Sequence, residues 1–267
     1  MKTILLICLF FIQTLLHSQN YYVIKVRGEI LCINSGKLLK QGDNLNLNDK
    51  LKFKSANAYA LVMNNKREKF HLKLPERMEA TVDEFTAYTK NSLIAVNDKL
   101  NTRGGVAFES QISNLSKYFG NSDFTIIGNK LSVNLNKKTY KLNQTQKIIA
   151  KYQFENNAKQ LVLNNDSNSI CLSENKFQIP ENEYFELNLY LQKSDISKEF
   201  ITQFNLRFIA KTDIENEFLT IVKSFKSTIN SESEMKVLLK KYFSAFYGKT
   251  DNFLLHNLCN KVIKENM

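Results

Sequence analysis

Tyr22-Val23-Ile24-Lys25-Val26-Arg27 opens the stretch that decides how this chain is read. It alternates large apolar side chains with others and carries β-branched residues, which predicts a strand. Gly28 follows, then a second apolar run, Ile30-Leu31-Cys32-Ile33, and turn chemistry at Asn34-Ser35-Gly36. Two related phrases come next, Leu39-Lys40-Gln41-Gly42-Asp43-Asn44-Leu45 and Leu47-Asn48-Asp49-Lys50-Leu51. Each sets an Asp-bearing turn between leucines that point inward. Ala58-Tyr59-Ala60-Leu61-Val62 and Lys69-Phe70-His71-Leu72 complete a meander of short strands, and Pro75 ends it because proline cannot donate to a ladder. Residues 20–75 are therefore expected to form a small β module of SH3-like size.

Gly28, Leu39-x-x-Gly42-Asp43-x-Leu45, Asn48-Asp49-x-Leu51 and Ala58-x-Ala60-Leu61 give residues 21–74 a pattern that resembles the FecR-type domain of extracytoplasmic bacterial proteins. The resemblance implies a β module outside the cytoplasm that contacts other macromolecules or wall polymers. The family's second phrase usually carries Gly-Asp. Here Asn48 stands in the glycine's place, and asparagine tolerates the left-handed conformation better than most residues. Members that signal to iron-uptake regulators also carry a cytoplasmic segment and a membrane span, which this sequence pattern lacks. The plainer reading of Gly42, Asp43 and Asp49 is that they shape turns.

Residues 1–19 read as a cleaved export signal. Lys2 gives the positive start, Ile4 to Ile12 the apolar stretch, and Leu16-His17-Ser18-Gln19 the polar exit. The apolar part is short for a membrane span. Cys8 lies inside it, away from the cleavage point, so no lipid anchor is expected and the mature chain should start near Asn20. The Ser-Gln exit resembles exported proteins of Bacteroidota. Periplasm or cell surface is the expected location.

The 267 residues carry a formal net charge of +11. It is concentrated in the first module: residues 20–75 hold 11 Lys or Arg against 4 Asp or Glu, a net +7. A basic exported surface favours an envelope protein or an anionic polymer as partner. Nucleic acid is not expected outside the cytoplasm. Lys50, Lys52 and Lys54 alternate with Leu51 and Phe53, which puts the three ammonium groups on one face of a strand. Lys66, Arg67, Lys69 and Lys73 fall on the stretch whose core-facing side is Phe70, Leu72 and Leu74. If the two strands pair, the seven cations form one contiguous binding patch. The plainer reading is that they solubilise the module and protect its edges.

Residues 76–122 read as a connector. It carries Met78, Val82 and Phe85 at helical spacing, an apolar patch Leu93-Ile94-Ala95-Val96, and the turn Arg103-Gly104-Gly105. A short helix with Ile112, Leu115 and Phe119 is stopped by Gly120. From residue 123 to 210 the period is two. Phe124 to Ile127 and Leu131 to Leu135 are predicted to form a hairpin around Gly128-Asn129. Further runs follow at 148–154, 161–163, 170–172, 184–191 and 200–208. This spacing predicts an antiparallel β-sandwich. From 211 to 267 the period becomes helical. Thr212-x-x-Glu215 and Ser231-x-x-Glu234 read as capping boxes, and Asp251 opens a third helix. The apolar stripes of these helices should pack on one another or on the sandwich, or else line a partner-binding groove. The fold class is mainly β with a C-terminal helical segment.

Catalytic chemistry is not apparent. Mature cysteines Cys32, Cys171 and Cys259 are odd in number and far apart, which predicts buried free thiols. His256 and Cys259 share a helix face, but two ligands do not make a zinc site. Asp83-Glu84 is a carboxylate pair whose members do not face each other. No cofactor, metal site or catalytic residue is assigned. The expected role is non-catalytic binding or scaffolding. A cell-wall or polysaccharide hydrolase with carboxylates not identifiable from spacing is the alternative.

Overall fold

The computed structural model describes residues 20–75, 86–96, 110–165, 168–177, 179, 183–194 and 196–267. The export signal, the Met78/Val82/Phe85 spacing, Asp83-Glu84 and Arg103-Gly104-Gly105 lie outside the described residues. The chain is mainly β with three long helices at the C-terminal end. It divides into two compact units.

Besides residues 223–227, the described part of the first unit contains nine strands and one short helix. They are β1 (Asn20–Arg27), β2 (Ile30–Cys32), β3 (Lys37–Leu38), β4 (Asn44–Asn46), β5 (Lys50–Phe53), β6 (Tyr59–Asn64), β7 (Lys69–Lys73), β8 (Thr86–Tyr88), α1 (Thr89–Ser92) and β9 (Leu93–Ala95). They form two sheets, ordered β4-β1-β6-β7-β9 and β3-β2-β5-β8. Inward residues of both sheets make one core. Val23, Ile30, Leu51, Ala60, Val62 and Leu72 are fully buried in it. Period-two alternation in β5 sends Leu51 and Phe53 inward and leaves Lys50 exposed.

The two Leu–Asp phrases are built alike. Oδ2 of Asp43 accepts from the Lys40 N–H at 2.7 Å, and Oδ2 of Asp49 accepts from the Asn46 N–H at 2.8 Å. Each carboxylate thus closes its own turn. Gly42 sits at φ +90°, a left-handed position that suits glycine, whereas Asn48 has a negative φ. The second turn therefore has no need of a left-handed residue where the first uses glycine.

Residues 76–122 were expected to be a connector, but part of that stretch belongs to the first unit's sheets. β8 pairs with β5, and β9 pairs with β7. Leu93 packs against the core, which is what holds this edge in place.

The first described helix of the second unit is α2 (Leu115–Phe119), capped by Asn114, whose Oδ1 accepts from the Lys117 N–H. It continues through β10 (Asp123–Ile127), β11 (Lys130–Asn134), β12 (Lys147–Phe154), β13 (Asn157–Val162), β14 (Asn164–Asn165), β15 (Ser169–Ser173), β16 (Phe185–Gln192) and β17 (Lys198–Ile209). A five-stranded sheet, β10-β17-β16-β12-β13, and a three-stranded sheet, β11-β15-β14, enclose a single core. Phe124, Ile148, Leu187 and Leu206 come from the first sheet, and Leu131, Val133, Ile170 and Leu172 from the second.

Two sequence expectations are corrected here. β10 and β11 do not form a hairpin. β10 pairs parallel with β17 and β11 antiparallel with β15, so the chain changes sheets at Gly128-Asn129. Both strands bury alternate residues in the same core, and crossing between sheets satisfies both where a hairpin would put them side by side. Strict alternation also fails in β17. A register shift opposite Leu189 and Tyr190 turns Phe200 outward, where it is 54% exposed and packs on the Tyr190 ring at 5.6 Å.

The helices are α3 (Lys211–Phe225), α4 (Glu232–Tyr247) and α5 (Asn252–Asn266). α3 starts at Lys211, so Thr212 lies inside its first turn and is not the cap. Ser231 caps α4 through a long 3.5 Å bond from the Glu234 N–H, and Asp251 caps α5 through a 2.9 Å bond from the Leu254 N–H. The predicted stripes are buried: Phe218, Ile221 and Val222 on α3, Met235, Leu239, Tyr242 and Phe243 on α4, Leu258 and Val262 on α5. Helical spacing also puts Phe246 and Leu254 on these stripes, but Phe246 is half-buried and Leu254 is exposed. Tyr247 takes the inward position instead.

Candidate functional site

The seven cations named from sequence do not assemble by strand pairing. β5 lies in the four-stranded sheet beside β2 and β8, and β7 lies in the five-stranded sheet between β6 and β9. Leu31 and Thr86 flank Lys52, and Tyr88 stands opposite Lys50, so no lysine of one strand faces a lysine of the other. Lys69 is buried, at 6% exposure, opposite Met63. Lys50, Lys54 and Lys66 are exposed, while Lys52, Arg67 and Lys73 are half-buried. The core-facing role read for Phe70, Leu72 and Leu74 agrees with their packing. Pairing of these strands therefore does not join the seven cations into one patch. Lys50 and Lys52 lie on β5 and Lys69 and Lys73 on β7, while Lys54, Lys66 and Arg67 lie outside the strands.

The thiols are buried and free. Burial pushes the Cys259 thiol up to about 12, which keeps it protonated and poorly nucleophilic. Among the described residues, no group of three or more His, Cys, Asp or Glu is placed to hold a metal ion.

Contacts at the end of α4 place the helical segment against the second unit's five-stranded sheet, β10-β17-β16-β12-β13. The carbonyls of the last turn of a helix have no partner within it. Here the Tyr247 carbonyl accepts from the Thr125 hydroxyl at 2.6 Å and from the Tyr184 hydroxyl at 3.0 Å. Arg207 Nη2 donates to the Tyr184 hydroxyl at 2.8 Å and to the Phe246 carbonyl at 3.4 Å. Its guanidinium lies over the rings of Tyr184, at 4.1 Å, and Tyr247, at 4.8 Å. A cation at a helix C-terminus also meets the negative end of the helix dipole. The chain then runs along β10. The Lys249 N–H donates to the Asp123 carbonyl at 2.8 Å, and the Thr125 N–H donates to the Lys249 carbonyl at 2.7 Å. Behind this junction Glu217 is buried and accepts from the hydroxyls of Tyr242 and Tyr247. Burial, and then the Glu217 charge, hold the Tyr242 phenol well above its usual range. Sequence reading missed Glu217, because it sits in an otherwise apolar stripe and its tyrosine partners are 25 and 30 residues away.

Following α4, the segment Lys249–Leu254 forms one wall of a groove of about 630 Å³. β11 forms the facing wall, with Ser110, Ile112 and Tyr118. β11 is at the edge of its sheet. Its register shows which backbone groups β15 leaves unused. The Glu174 N–H donates to the Asn129 carbonyl, and the Leu135 N–H donates to the Asn168 carbonyl. Antiparallel bonding alternates, so the odd-numbered residues of β11 exchange bonds with β15. Lys130, Ser132 and Asn134 turn their N–H and C=O groups toward the groove. One of these, the Asn134 carbonyl, accepts from the Ile112 N–H at 2.8 Å.

The rim is apolar and cationic. Phe253 is 57% exposed and Leu254 36% exposed, both on the first turn of α5. Lys130 is exposed. Lys249 is half-buried and donates to the Lys117 carbonyl at 2.7 Å. Burial, and then the Lys117 charge, lower its pKa. Asp251 is the single carboxylate among the described lining residues, and it is engaged: Oδ1 caps α5 and Oδ2 accepts from the Tyr118 hydroxyl at 2.7 Å. Burial and the adjacent Asp251 hold the Tyr118 phenol well above its usual value.

Among the described residues, no helix is long and apolar enough to cross a membrane. No protein-family model matches this chain, and neither a curated protein nor a solved structure is significantly similar to it.

Proposed function

We propose that this chain is an exported, non-catalytic binding or scaffold protein of a bacterial envelope. Its partner is another envelope protein or an anionic polymer. The observation that carries the reading is the β11 groove. Among the described residues, Lys130, Ser132 and Asn134 turn their backbone groups away from β15 along this groove, and Asp251 on its wall is occupied as a helix cap and tyrosine acceptor. A hydrolase of polysaccharide needs two carboxylates flanking the scissile bond, one of them free to move a proton. The groove offers recognition groups in place of that pair. The signal-like residues 1–19 and the FecR-type resemblance of residues 21–74 support placement outside the cytoplasm. The net +7 of residues 20–75 supports an anionic component in the partner.

The test is retention of the exported protein on envelope fractions across a salt series, beside an assay for soluble products released from purified wall polymer. Retention without release is the expected result. Release of wall fragments with weak retention would replace binding by hydrolysis. A triple variant, Lys50→Gln, Lys52→Gln and Lys54→Gln, reports how much of the retention is electrostatic. If those charges contribute, the wild type loses retention with salt and the variant is weaker throughout.

A further inference from the structure

We propose that the outer face of the second unit's five-stranded sheet binds an anionic polysaccharide, laid across the strands over Tyr190 and Phe200. This is a second surface, independent of the groove at β11.

Strand register sets the outward side chains in rows. Ile148, Ala150, Leu187, Leu189 and Phe204 face the core, so their alternate neighbours face outward. Val162, Ile149, Tyr190 and Phe200 stand opposite one another in turn on β13, β12, β16 and β17. Gln160, Lys151, Asn188 and Gln203 form the row on one side of them. Lys147, Gln192 and Lys198 form the row on the other. An apolar stripe thus runs between two stripes of amides and amines. At about 4.8 Å per strand, three strand-to-strand steps carry a row about 14 Å across the sheet. Phe200 is 54% exposed and packs edge to face on the half-buried Tyr190 at 5.6 Å. Lys151 holds its ammonium over the Tyr190 ring at 4.8 Å. Tyr190, Lys151, Gln160 and Asn188 line a groove of about 710 Å³. The turn 155–156 joins β12 to β13, and 193–197 joins β16 to β17, with residue 195 alone outside the described residues.

The chemistry of the stripes selects a polysaccharide. β12 and β16 are paired on both sides, so this face offers side chains and no backbone for an added strand. A sugar ring has an apolar C–H face and a rim of hydroxyls. The C–H face fits an aromatic ring, and amide side chains both donate to hydroxyls and accept from them. A protein interface instead gathers its apolar groups at a centre with a polar rim around it. A nucleic acid strand carries a phosphate on every nucleotide and calls for a row of cations, whereas Lys151 shares its row with three amides.

Charge gives the polymer its sign. Lys147, Lys151 and Lys198 stand in the two polar stripes. Glu186, further along β16, accepts from Asn188 Nδ2 at 3.1 Å. Lys198 Nζ donates to Gln160 Oε1 at 3.3 Å, a long bond between exposed side chains that a sugar carboxylate would replace with a charged acceptor. The plainer role for Tyr190 and Phe200 is a cross-strand pair that steadies the register shift. That role predicts no polysaccharide binding.

Calorimetric titration of the full chain with oligogalacturonate tests this face. The comparison ligands are the same oligomer with its carboxyl groups reduced to alcohols, polyglutamate, and oligothymidylate. Saturable binding of oligogalacturonate is expected, with each comparison ligand at least about tenfold weaker. Phe200→Ala removes an exposed side chain and leaves the core intact, so binding should fall about tenfold while the urea midpoint changes little. Lys151→Gln should narrow the gap between the acidic and the reduced oligomer. A variant with Lys50→Gln, Lys52→Gln and Lys54→Gln should bind oligogalacturonate as the wild type does. The assignment is overturned if millimolar oligogalacturonate does not bind, or if Phe200→Ala binds it unchanged. Equal binding of polyglutamate or oligothymidylate overturns the polysaccharide, and equal binding of the reduced oligomer overturns its anionic character. Oligogalacturonate binding to a chain that envelope fractions do not retain would keep this face and remove the binding reading. Envelope retention without oligogalacturonate binding would do the reverse.

Discussion

A Cβ placed on Gly248 would lie 2.5 Å from the carbonyl oxygen of Asp123. This contact marks where the helical segment meets the sheet. Gly248 ends α4 at φ +70°, its N–H returns to the Ser244 carbonyl, and the next residue bonds to β10. Backbone strain and steric exclusion coincide at one position. Gly248→Ala should therefore cost about 2–4 kcal/mol, measured by urea unfolding. Gly36→Ala is the control. Gly36 has φ +66° with nothing within 4 Å of the added methyl, and the loss there should be about 1 kcal/mol.

Arg207 gives the second prediction. Its guanidinium donates to the Tyr184 hydroxyl and the Phe246 carbonyl while stacking on two tyrosine rings. Lysine keeps the charge but loses the planar donor fork and the stacking. Arg207→Lys should lose most of what Arg207→Met loses, about 2 kcal/mol. Near-full stability in the lysine variant would show that charge at the helix end is the whole effect.

These junctions explain what was legible in sequence and what was not. Period alone located β12, β16, β17 and the buried faces of α3, α4 and α5, because each is a local pattern of one element. It failed for β10 and β11, where both strands alternate correctly but belong to different sheets. It failed for Phe200, where one register shift reverses a face without changing the pattern. The pairing expected between the lysine-bearing strands failed for the same reason: Lys50 to Lys54 and Lys69 to Lys73 have the right alternation, but pairing partners are set by distant residues. Glu217, Arg207 and the β11 groove depend on contacts across tens of residues. A hint was present in the apolar dipeptide Phe253-Leu254, two residues after the Asp251 cap, where a first turn is ordinarily polar.

Thr250 lines the groove wall at 5% exposure, and its hydroxyl has no hydrogen-bond partner among the described residues. A buried hydroxyl without a partner costs stability, and valine has nearly the same shape. Thr250→Val should raise stability by about 1 kcal/mol in thermal or urea unfolding. A loss of similar size would mean that the hydroxyl is bonded.

His71 sets a pH dependence for the first unit. Burial, and then the Lys73 charge, lower its pKa in the folded state. The unfolded chain then takes up the proton first as the pH falls. The stability associated with neutral His71 is fully present above about pH 6.5 and is lost as the pH drops from there toward the lowered folded value. His71→Gln should remove that component, so wild type and variant should diverge in urea midpoint below about pH 6.5 and run parallel above it. Parallel curves at all pH values would contradict the shift.

Amide hydrogen exchange on the protein bound to its envelope partner tests the binding surface most directly. Exchange is compared for the free protein and for the complex eluted intact from envelope fractions. If β11 is the docking edge, slowed exchange on binding concentrates at Lys130, Ser132 and Asn134, the amides that β15 leaves open, and β5 is unchanged. Protection confined to Lys50 through Lys54, with β11 exchanging as fast as in the free protein, would contradict the account and return the interface to the basic first unit.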